Sequence, residues 1–477
     1  MTTTHEVSIS PARWSQPIAA LPGPTRSGFR AALTGASFAP GEAGYEAACR
    51  LWNGLVTRRP GLVIRATTVE DVQRCLDLVT RHDLALAVRA GGHSVAGDAL
   101  CDDGLVIDVS AMKHIEVDAR SRTASVGAGL TWGELDRATG AFGLATTGGQ
   151  ISTTGVAGLT LGGGLGWLMR HHGLTVDNLL AVDLVTPDGR CRRVDAEREP
   201  DLFWALRGGG GNFGVATRFS FRLHPVDEVY AGTLVHPAAR AAELLARLHE
   251  VAAQAPDELT LMAYFLPAMD SDLLPASARG EPAFCLAVCA TAAPGAAEAM
   301  VAPLRTGSPP LADTVRWQPY VHLQSMFDFS APFGLAAYWK SHYLADLPEQ
   351  AIETVVAHAG RVTSPLSQVL LTTCGGAAAR VDELATATGH RDAPYVLEIL
   401  AKWPDGPGEA HQRWADEFWQ AARPWSTGGA YVNFLGDEPD RVAAAYPDPI
   451  LRRLREVKRE VDPENLLHRN RNFLPAA

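Results

Sequence analysis

A glycine-rich loop that ends in a histidine is the first candidate for chemistry in this chain. Residues 88–97 read Val-Arg-Ala-Gly-Gly-His-Ser-Val-Ala-Gly and follow an apolar stretch, residues 84–88, that is typical of a strand. Two adjacent glycines let the backbone approach a ligand that a Cβ would block, and such a loop can direct successive N–H groups at a phosphate. His93 would then stand beside whatever carries the phosphate. The alternative is a partly buried histidine at a plain strand-end turn.

Further glycine-rich segments in the N-terminal half favour a large ligand. They are residues 148–149, 162–166 and 208–214. The last matches the G-x-G-x-x-G fingerprint only as letters, because a helix is predicted before it and a strand after it, the reverse of a Rossmann loop. No Gly-Lys-Ser/Thr follows residues 162–166, so that segment is not a Walker loop. Several close-approach loops without a Rossmann unit indicate a dinucleotide bound in another fold.

The elements that must position these loops alternate between strand and helix. Residues 62–88 predict a βαβ unit that ends at the histidine loop. Residues 105–194 predict short strands and a hairpin. After Pro225 the glycine loops become rarer, and Ala-rich helices alternate with strands such as residues 259–266 and 396–403. This change in composition and element pattern predicts a second domain.

Composition limits the class of protein. The chain has 477 residues, of which 47% are hydrophobic and 20% charged, as in a soluble globular protein of two or three domains. The formal net charge of -11 argues against nucleic acid as a partner. Seven scattered cysteines without a C-x-x-C pair predict neither a disulfide framework nor a metal site. No signal peptide and no membrane span is recognisable, so we expect a cytoplasmic protein.

Taken together, the motifs resemble flavoproteins of the vanillyl-alcohol oxidase (PCMH-type) superfamily, in the berberine-bridge-enzyme-like branch. Besides the histidine loop, the matching segments in chain order are residues 155–167, 177–178, 201–215, 431–434 and 462–466. The resemblance implies an α+β fold, with a two-lobed PCMH-type FAD-binding domain and a substrate domain whose antiparallel sheet is covered by helices. The expected parts are a loosely ordered lead-in (1–28), the FAD-binding domain (29–226), the substrate-binding domain (227–428) and a C-terminal segment returning to the FAD domain (429–477).

The resemblance also implies how FAD is held. In this family the histidine of the Gly-Gly-His-Ser motif is bonded to the flavin 8α carbon, and we carry this role onto His93. Many relatives add a cysteine link four residues before the position of Gly155. This chain has Ile151 there, so we expect the single link of the bacterial branch. The other expected FAD-binding residues are Arg89, Ala90, Gly91, Gly92, Ser94, Val95, Gly149, Gly155, Val156, Gly158, Leu159, Gly162, Gly214, Val215, Asn470 and Asn472.

Three catalytic candidates follow from the matching motifs. Thr154 falls near the oxygen-reactive carbon of the ring, or else is a strand threonine that faces a neighbour. Tyr431 and Asn433 resemble residues that the C-terminal segment brings over the ring, where a tyrosine exchanges a proton and an asparagine positions substrate or polarises the flavin. A structural Tyr-Asn turn is the alternative for both.

On the substrate side the chain departs from the family pattern. Relatives often carry a carboxylate on the strand that here spans residues 367–372, and the corresponding residue is Leu370, with Gln368 two positions earlier. We therefore expect no carboxylate base at that position. Lys340 would stabilise an enolate or alkoxide, unless it is simply an exposed lysine. The candidates in place of the carboxylate are Tyr264, Tyr338, Lys340 and Tyr343.

These expectations describe a covalent FAD oxidase. It would take a hydride from an alcohol, amine or secondary metabolite to flavin N5 and be reoxidised by O2, giving H2O2. A small-molecule substrate and molecular oxygen are the expected partners. Two alternatives remain: a carbohydrate oxidase, although that group usually has the second, cysteine link, and a flavin-bearing binding protein without turnover, which the missing carboxylate favours.

Overall fold

The N-terminal half begins with a four-stranded sheet that leads into the histidine loop. The computed structural model describes residues 13–266, 279–307 and 309–476. The strands are β1 (Ala36–Phe38), β2 (Leu62–Arg65), β3 (Leu86–Arg89) and β4 (Leu105–Asp108), in the spatial order β1-β2-β4-β3. The helices here are α1 (Gly23–Ala31), α2 (Tyr45–Cys49) and α3 (Val69–His82). Helix α3 is the crossover between β2 and β3, which both run parallel to β4, and the histidine loop leaves the carboxyl end of β3.

A second, antiparallel sheet completes this half. The strands that follow are β5 (Ile115–Asp118), β6 (Thr123–Gly127), β7 (Leu144–Ala145), β8 (Leu179–Val185), β9 (Cys191–Asp195), β10 (Val215–Arg222) and β11 (His224–Pro225). The order in the sheet is β5-β6-β10-β8-β9, and β7 pairs separately with β11. The helices are α4 (Trp132–Gly140), α5 (Val156–Leu161), α6 (Met169–His172) and α7 (Pro200–Leu206). Residues 208–214 therefore lie between helix α7 and strand β10, as predicted, and do not form a Rossmann loop.

The expected loose lead-in differs from the structure. Residues 1–12 lie outside the described residues, but residues 13–28 are an ordered part of the N-terminal half. Trp14, Ile18 and Leu21 are buried in its core, and Trp14 Nε1 donates a hydrogen bond of 2.9 Å to the Glu464 carbonyl. Three large apolar side chains provide enough buried area to fix the segment, which the prolines and polar residues around them had obscured.

The central region forms one large antiparallel sheet. Its strands are β12 (Glu228–Pro237), β13 (Leu259–Leu266), β14 (Ala283–Ala290), β15 (Ala312–Asp313), β16 (Arg316–Pro319), β17 (Ala336–Leu344), β18 (Gln368–Thr373) and β19 (Tyr395–Trp403). The spatial order is β15-β12-β14-β13-β18-β19-β17, and β16 also pairs with β12. Its helices are α8 (Ala241–Gln254), α9 (Ala296–Val301), α10 (Tyr320–Leu323), α11 (Glu349–Ala359), α12 (Ala377–Arg380) and α13 (Glu409–Ala422). Strands β18 and β19, which matter most below, lie side by side within this sheet.

The two faces of the central sheet have different neighbours. On β19 the residues Leu397, Ile399, Ala401 and Trp403 belong to the core that the sheet shares with α8, α11 and α13. The alternate residues of the same strand point to the opposite face, because side chains of a strand alternate. That opposite face closes over the N-terminal half.

The C-terminal segment returns to the N-terminal half. Helix α14 (Asp448–Val461) buries Ile450, Leu454 and Val457 in the same hydrophobic core as the first two sheets. At its end the ammonium of Lys458 pairs with Asp462 at 2.7 Å in a fully buried position. No helix in the described part of the chain is long and apolar enough to cross a lipid bilayer.

Candidate functional site

The histidine loop presents an unused row of backbone donors. None of the N–H groups of residues 91–96 donates a hydrogen bond to another described residue. The loop also presses against the turn before α5: a Cβ on Gly91 would lie 2.4 Å from the Gly155 nitrogen, and a Cβ on Gly155 would lie 2.6 Å from the Gly91 nitrogen. Only glycine fits at both positions. Free N–H groups held in a fixed loop are an anion-binding arrangement.

This loop opens into a cavity of about 390 Å³ between the two halves of the molecule. The cavity floor is the loop, the turn at residues 149–155 and α5. Its roof is the exposed face of β13, β17, β18 and β19, and residues 431–434 and 467–471 close one side. Many of the sequence-predicted residues line it: Ala90, Gly91, Gly92, His93, Ser94, Val95, Gly149, Thr154, Gly155, Gly158, Leu159, Gly214, Tyr431, Asn433 and Asn470.

Five predicted FAD-binding residues do not line the cavity. Val156 and Val215 are buried in the core behind it, and Asn472 lies beyond the lining tail residues. Arg89 turns away: its guanidinium donates to the carbonyls of Ala48 and Arg50, so it holds the segment before the loop instead of a ligand. Gly162 acts indirectly, because a Cβ there would lie 2.1 Å from Asn433 Oδ1 and displace that side chain.

Two predicted catalytic residues also lie outside the cavity lining. Lys340 is buried, not exposed, and its ammonium pairs with Glu438 and, at 3.5 Å, with Asp416. Burial opposes the charge, but the bonds to Glu438 and Tyr338 raise the pKa of Lys340 above its usual value. Tyr264 donates to Thr233 Oγ1 at 3.3 Å. Both side chains are satisfied by the protein, which the sequence pattern of their strands does not reveal.

The other two tyrosine candidates also lie outside the cavity lining. The hydroxyl of Tyr338 donates to Asp416 at 2.9 Å. Tyr343 is buried in a separate hydrophobic cluster with Met169 and Val396.

His93 lies at the edge of the cavity floor, next to two aromatic side chains. Its ring stacks on Trp52 with centroids 5.9 Å apart, and Phe333 meets its face edge-on at 5.0 Å. Its Nε2 lies 3.1 Å from Thr153 Oγ1. Burial lowers the pKa of His93 to about 4, so the imidazole is neutral at neutral pH and one ring nitrogen keeps its lone pair. A neutral, fixed imidazole is the form that can bond to carbon.

Tyr431 ties the C-terminal segment to a glycine loop of the floor. Its hydroxyl accepts hydrogen bonds from Gly164 N at 2.9 Å, Leu165 N at 3.3 Å and Asn433 Nδ2 at 3.0 Å. Burial raises the pKa of Tyr431 to about 12, so the phenol keeps its proton. Asn433 also donates to the Leu159 carbonyl at 3.2 Å. The pair therefore has the structural role of a turn and also faces the cavity.

Thr154 and Ile151 lie in the turn before α5. Thr154 is not on a strand; its hydroxyl makes no hydrogen bond to another described residue and borders the cavity. Ile151 also lines the cavity, at the position where relatives would carry the second linking residue. The neighbouring Ser152 is anchored to Asp328, whose carboxylate accepts from both the Ser152 backbone N–H and its hydroxyl.

The structure adds a carboxylate that the sequence reasoning missed. Glu398 on β19 lies directly opposite Leu370 on β18 and lines the cavity. It is 6% exposed and has no hydrogen-bond partner among the described residues, and burial raises its pKa to about 8. The signal was present in the alternation of β19, where Glu398 shares a face with Val396, Leu400 and Lys402 and not with the helix-facing residues.

Lys402 ends this row of cavity-facing side chains. Its ammonium donates to the Ser330 carbonyl and to Gln368 Oε1, both at 2.6 Å. Burial lowers the pKa of Lys402 to about 8. The wall also contains apolar and aromatic side chains, among them Trp339, which stacks on Phe434 with centroids 4.6 Å apart.

Comparison with known proteins identifies the family. A family model described as an FAD binding domain matches residues 60–195, and one described as berberine and berberine-like matches residues 430–472. An FAD-linked oxidoreductase of Dictyostelium discoideum is 31% identical over 429 residues, covering 89% of this chain and 91% of that protein. The chain belongs to the berberine-bridge-enzyme-like FAD-linked oxidases.

Solved structures and a further relative agree with this assignment. (R)-6-hydroxynicotine oxidase of Paenarthrobacter nicotinovorans is 29% identical over 451 residues, covering 91% of this chain and 96% of that protein. The crystal structure of 6-hydroxy-D-nicotine oxidase from Arthrobacter nicotinovorans superposes with a TM-score of 0.84 at 27% identity, covering 93% and 99% of the two chains. A chitooligosaccharide oxidase shares the fold, with a TM-score of 0.81 at 20% identity and 95% and 99% coverage. The predicted family and the α+β PCMH-type fold are confirmed, and the protein is an FAD-dependent oxidase.

The cavity fits the cofactor that this family carries. The free N–H groups of residues 91–96 suit a pyrophosphate, and a Cβ on Gly158 or Gly211 would meet no protein atom within 4 Å. Both glycines border the cavity, so their open faces leave room for a flat ring system. At the tail, the buried Oδ1 of Asn470 has no partner among the described residues. Phosphate donors, open glycine faces and an unused polar atom are what a bound dinucleotide requires.

Proposed function

We propose that this oxidase removes a hydride from a carbon that bears an O–H or N–H group in a small, largely apolar molecule. The observation that carries the proposal is Glu398, a buried carboxylate that has no hydrogen-bond partner among the described residues and faces the FAD cavity. A bound FAD would supply a hydride acceptor at N5, and dioxygen would then take two electrons and two protons and leave as hydrogen peroxide. Glu398 takes the proton of the O–H or N–H group, which must leave as the hydride departs.

His93 is proposed as the only covalent attachment of the cofactor. Its low pKa keeps the imidazole nucleophilic, and Trp52, Phe333 and Thr153 fix its ring. Ile151 offers no sulfur for a second bond. The backbone N–H groups of residues 91–96 bind the pyrophosphate without a side-chain cation, since Arg89 is engaged elsewhere.

The wall of the cavity favours an apolar substrate over a sugar. Met262, Leu370, Val396 and Leu400 face it together with aromatic rings, a surface that suits an apolar body better than a row of hydroxyl groups. The absence of a carboxylate at Leu370 favours the alternative of a flavin-bearing binding protein without turnover. Glu398 offers a carboxylate from the neighbouring strand, directly opposite Leu370, and so argues against that alternative.

The proposal is tested by the variant Glu398→Gln. A substrate is first selected by screening alcohols, amines and aromatic metabolites for peroxide release, and flavin bleaching is then followed anaerobically in a stopped-flow instrument. We expect the variant to slow bleaching by about 100-fold, the usual size of general-base catalysis. The wild-type rate should rise with pH and level off above about 8, because Glu398 is a base only when ionised, and the variant should lose this dependence.

A matched control is Asp136→Asn. Asp136 is another buried carboxyl whose pKa burial raises, to about 7, but it lies outside the cavity lining. This variant should bleach at a rate close to that of the wild type. If Glu398→Gln retains the wild-type rate and pH profile, Glu398 is not the base. If no compound bleaches the flavin, the binding-protein alternative is favoured.

A further inference from the structure

Lys402 is a buried cation without an anionic partner in the described part of the chain, and it opens into the cavity. Of the lysines buried in the described part of the chain, Lys340 pairs with Glu438 and Lys458 pairs with Asp462. Lys402 is 2% exposed, and among the described residues its ammonium donates hydrogen bonds to the neutral oxygens of Ser330 and Gln368 and to no carboxylate. A buried charge without a counter-charge is costly, and the lowered pKa of Lys402 reports that cost.

Gln368 completes a two-point donor site. An ammonium only donates, so the amide oxygen of Gln368 must face Lys402 and its Nε2 group must point away from it. This Nε2 group makes no hydrogen bond to a described residue, and both side chains line the cavity. Two of the three N–H groups of Lys402 are used, which leaves one. One free ammonium N–H beside a free amide NH2 matches the two oxygens of a carboxylate, one oxygen to each donor.

The position of this pair relative to Glu398 defines the kind of molecule. Lys402 and Glu398 share one face of β19 four residues apart, which places their Cα atoms about 13 Å apart. Leu400 lies between them on the same face, and Leu370 lies beside Glu398. The Glu398 carboxylate and the donors of Lys402 and Gln368 are thus separated by an apolar stretch of the cavity wall.

The geometry points to a substrate that carries a carboxylate, held by Lys402 and Gln368, on an apolar body whose oxidised carbon lies at Glu398. This assignment rests on the proposed function and adds the substrate class to it. The carboxylate supplies the counter-charge that Lys402 lacks. It also determines which carbon of the substrate lies at Glu398, because the distance from the anchored carboxylate to Glu398 is fixed by the strand.

The test is a binding comparison on the flavin-loaded protein. Three probes with the same phenylpropyl skeleton, 3-phenylpropanoate, its isosteric amide 3-phenylpropanamide and 3-phenylpropylamine, are titrated by calorimetry and by the flavin absorbance change. We expect the carboxylate to bind about tenfold or more tightly than the amide, and the amine to bind most weakly, as for a charge-assisted hydrogen bond. Lys402→Met should remove this preference, with the carboxylate weakened about tenfold more than the amide.

Two further variants separate recognition from folding. Lys402→Gln keeps a donor to Ser330 and should give the same loss of carboxylate preference if Lys402→Met folds poorly. Lys340→Met removes a buried lysine of the adjacent strand β17 that does not line the cavity, and it should bind all three probes as the wild type does. Equal affinity for carboxylate and amide in the wild type, no binding of any probe, or an unchanged preference in both Lys402 variants would overturn the assignment.

Failure of this inference is distinguishable from failure of the proposed function. If the carboxylate preference is missing while Glu398→Gln still slows anaerobic bleaching, only the substrate class is wrong. If Glu398→Gln has no effect while Lys402→Met removes the preference, the carboxylate site stands and the base is wrong.

Discussion

The floor of the cavity is lined mainly by backbone groups, and its roof is lined by side chains. The floor, which faces the cofactor, consists of backbone: free N–H groups at residues 91–96 and glycines whose missing side chains create the space. The roof, which we assign to the substrate, consists of side chains that project from β13, β17, β18 and β19. Backbone recognition requires a particular local sequence, whereas a side-chain surface only requires that strands pair in the right register. The floor should therefore tolerate change poorly and the roof should determine specificity.

The largest expected effect comes from filling the floor. Gly158→Val places a side chain into the cavity space that we assign to the flavin, with no protein atom to oppose it. The protein should fold but lose most of its bound flavin, measured as the ratio of 450 nm to 280 nm absorbance. Gly28→Val is the matched control, because Gly28 is also helical with no atom within 4 Å of an added Cβ and lies outside the cavity.

If Gly158→Val keeps its flavin, the ring does not lie against α5. If Gly28→Val loses flavin equally, the loss reflects general destabilisation of a helix by valine, and the floor has no special role.

A smaller effect is expected where the C-terminal segment meets the floor. Tyr431→Phe leaves the N–H groups of Gly164 and Leu165 without their acceptor, which should cost about 1–3 kcal/mol of unfolding free energy. Thermal unfolding of the flavin-loaded protein measures the loss. Tyr338→Phe removes a hydroxyl bonded to Asp416 outside the cavity and should leave the flavin spectrum unchanged. An unchanged stability in Tyr431→Phe would contradict the anchoring role.

The smallest effect is expected at Thr154, whose hydroxyl, unlike those of Ser152 and Thr153 in the same turn, has no hydrogen-bond partner among the described residues. Thr154→Val should slow reoxidation of photoreduced enzyme by O2 about fivefold, the size of one neutral hydrogen bond of about 1 kcal/mol. This measurement needs no substrate. A reoxidation rate equal to that of the wild type would leave Thr154 as a packing residue of the floor.

The sequence predicted the floor well because its requirement is local. Gly91, Gly92 and His93 stand together in one loop, and only glycine permits the close approach to Gly155. Even in this loop, the direction in which a side chain points could not be predicted from the sequence. Arg89 belongs to the same motif, but its guanidinium turns to the carbonyls of Ala48 and Arg50, partners forty residues earlier in the chain.

The roof was predicted less well because it depends on register. The expected carboxylate position, Leu370, is apolar, and the sequence alone does not show that Glu398 pairs with it across two strands. Lys340 on β17 and Tyr264 on β13 belong to the same sheet, but their side chains bond to the protein residues Glu438 and Thr233 and not to a ligand site. Alternation along β19 would have separated Glu398 and Lys402 from the helix-facing residues, but it does not say what lies above that face.

The most direct test of the account is the state of the cofactor after acid precipitation of the purified protein. We predict a yellow pellet and, after proteolysis, one FAD mass added to the peptide that contains His93 and none on any other peptide. The variant His93→Ala should give a colourless pellet. A colourless pellet from the wild-type protein, with free FAD in the supernatant, would contradict the single covalent attachment.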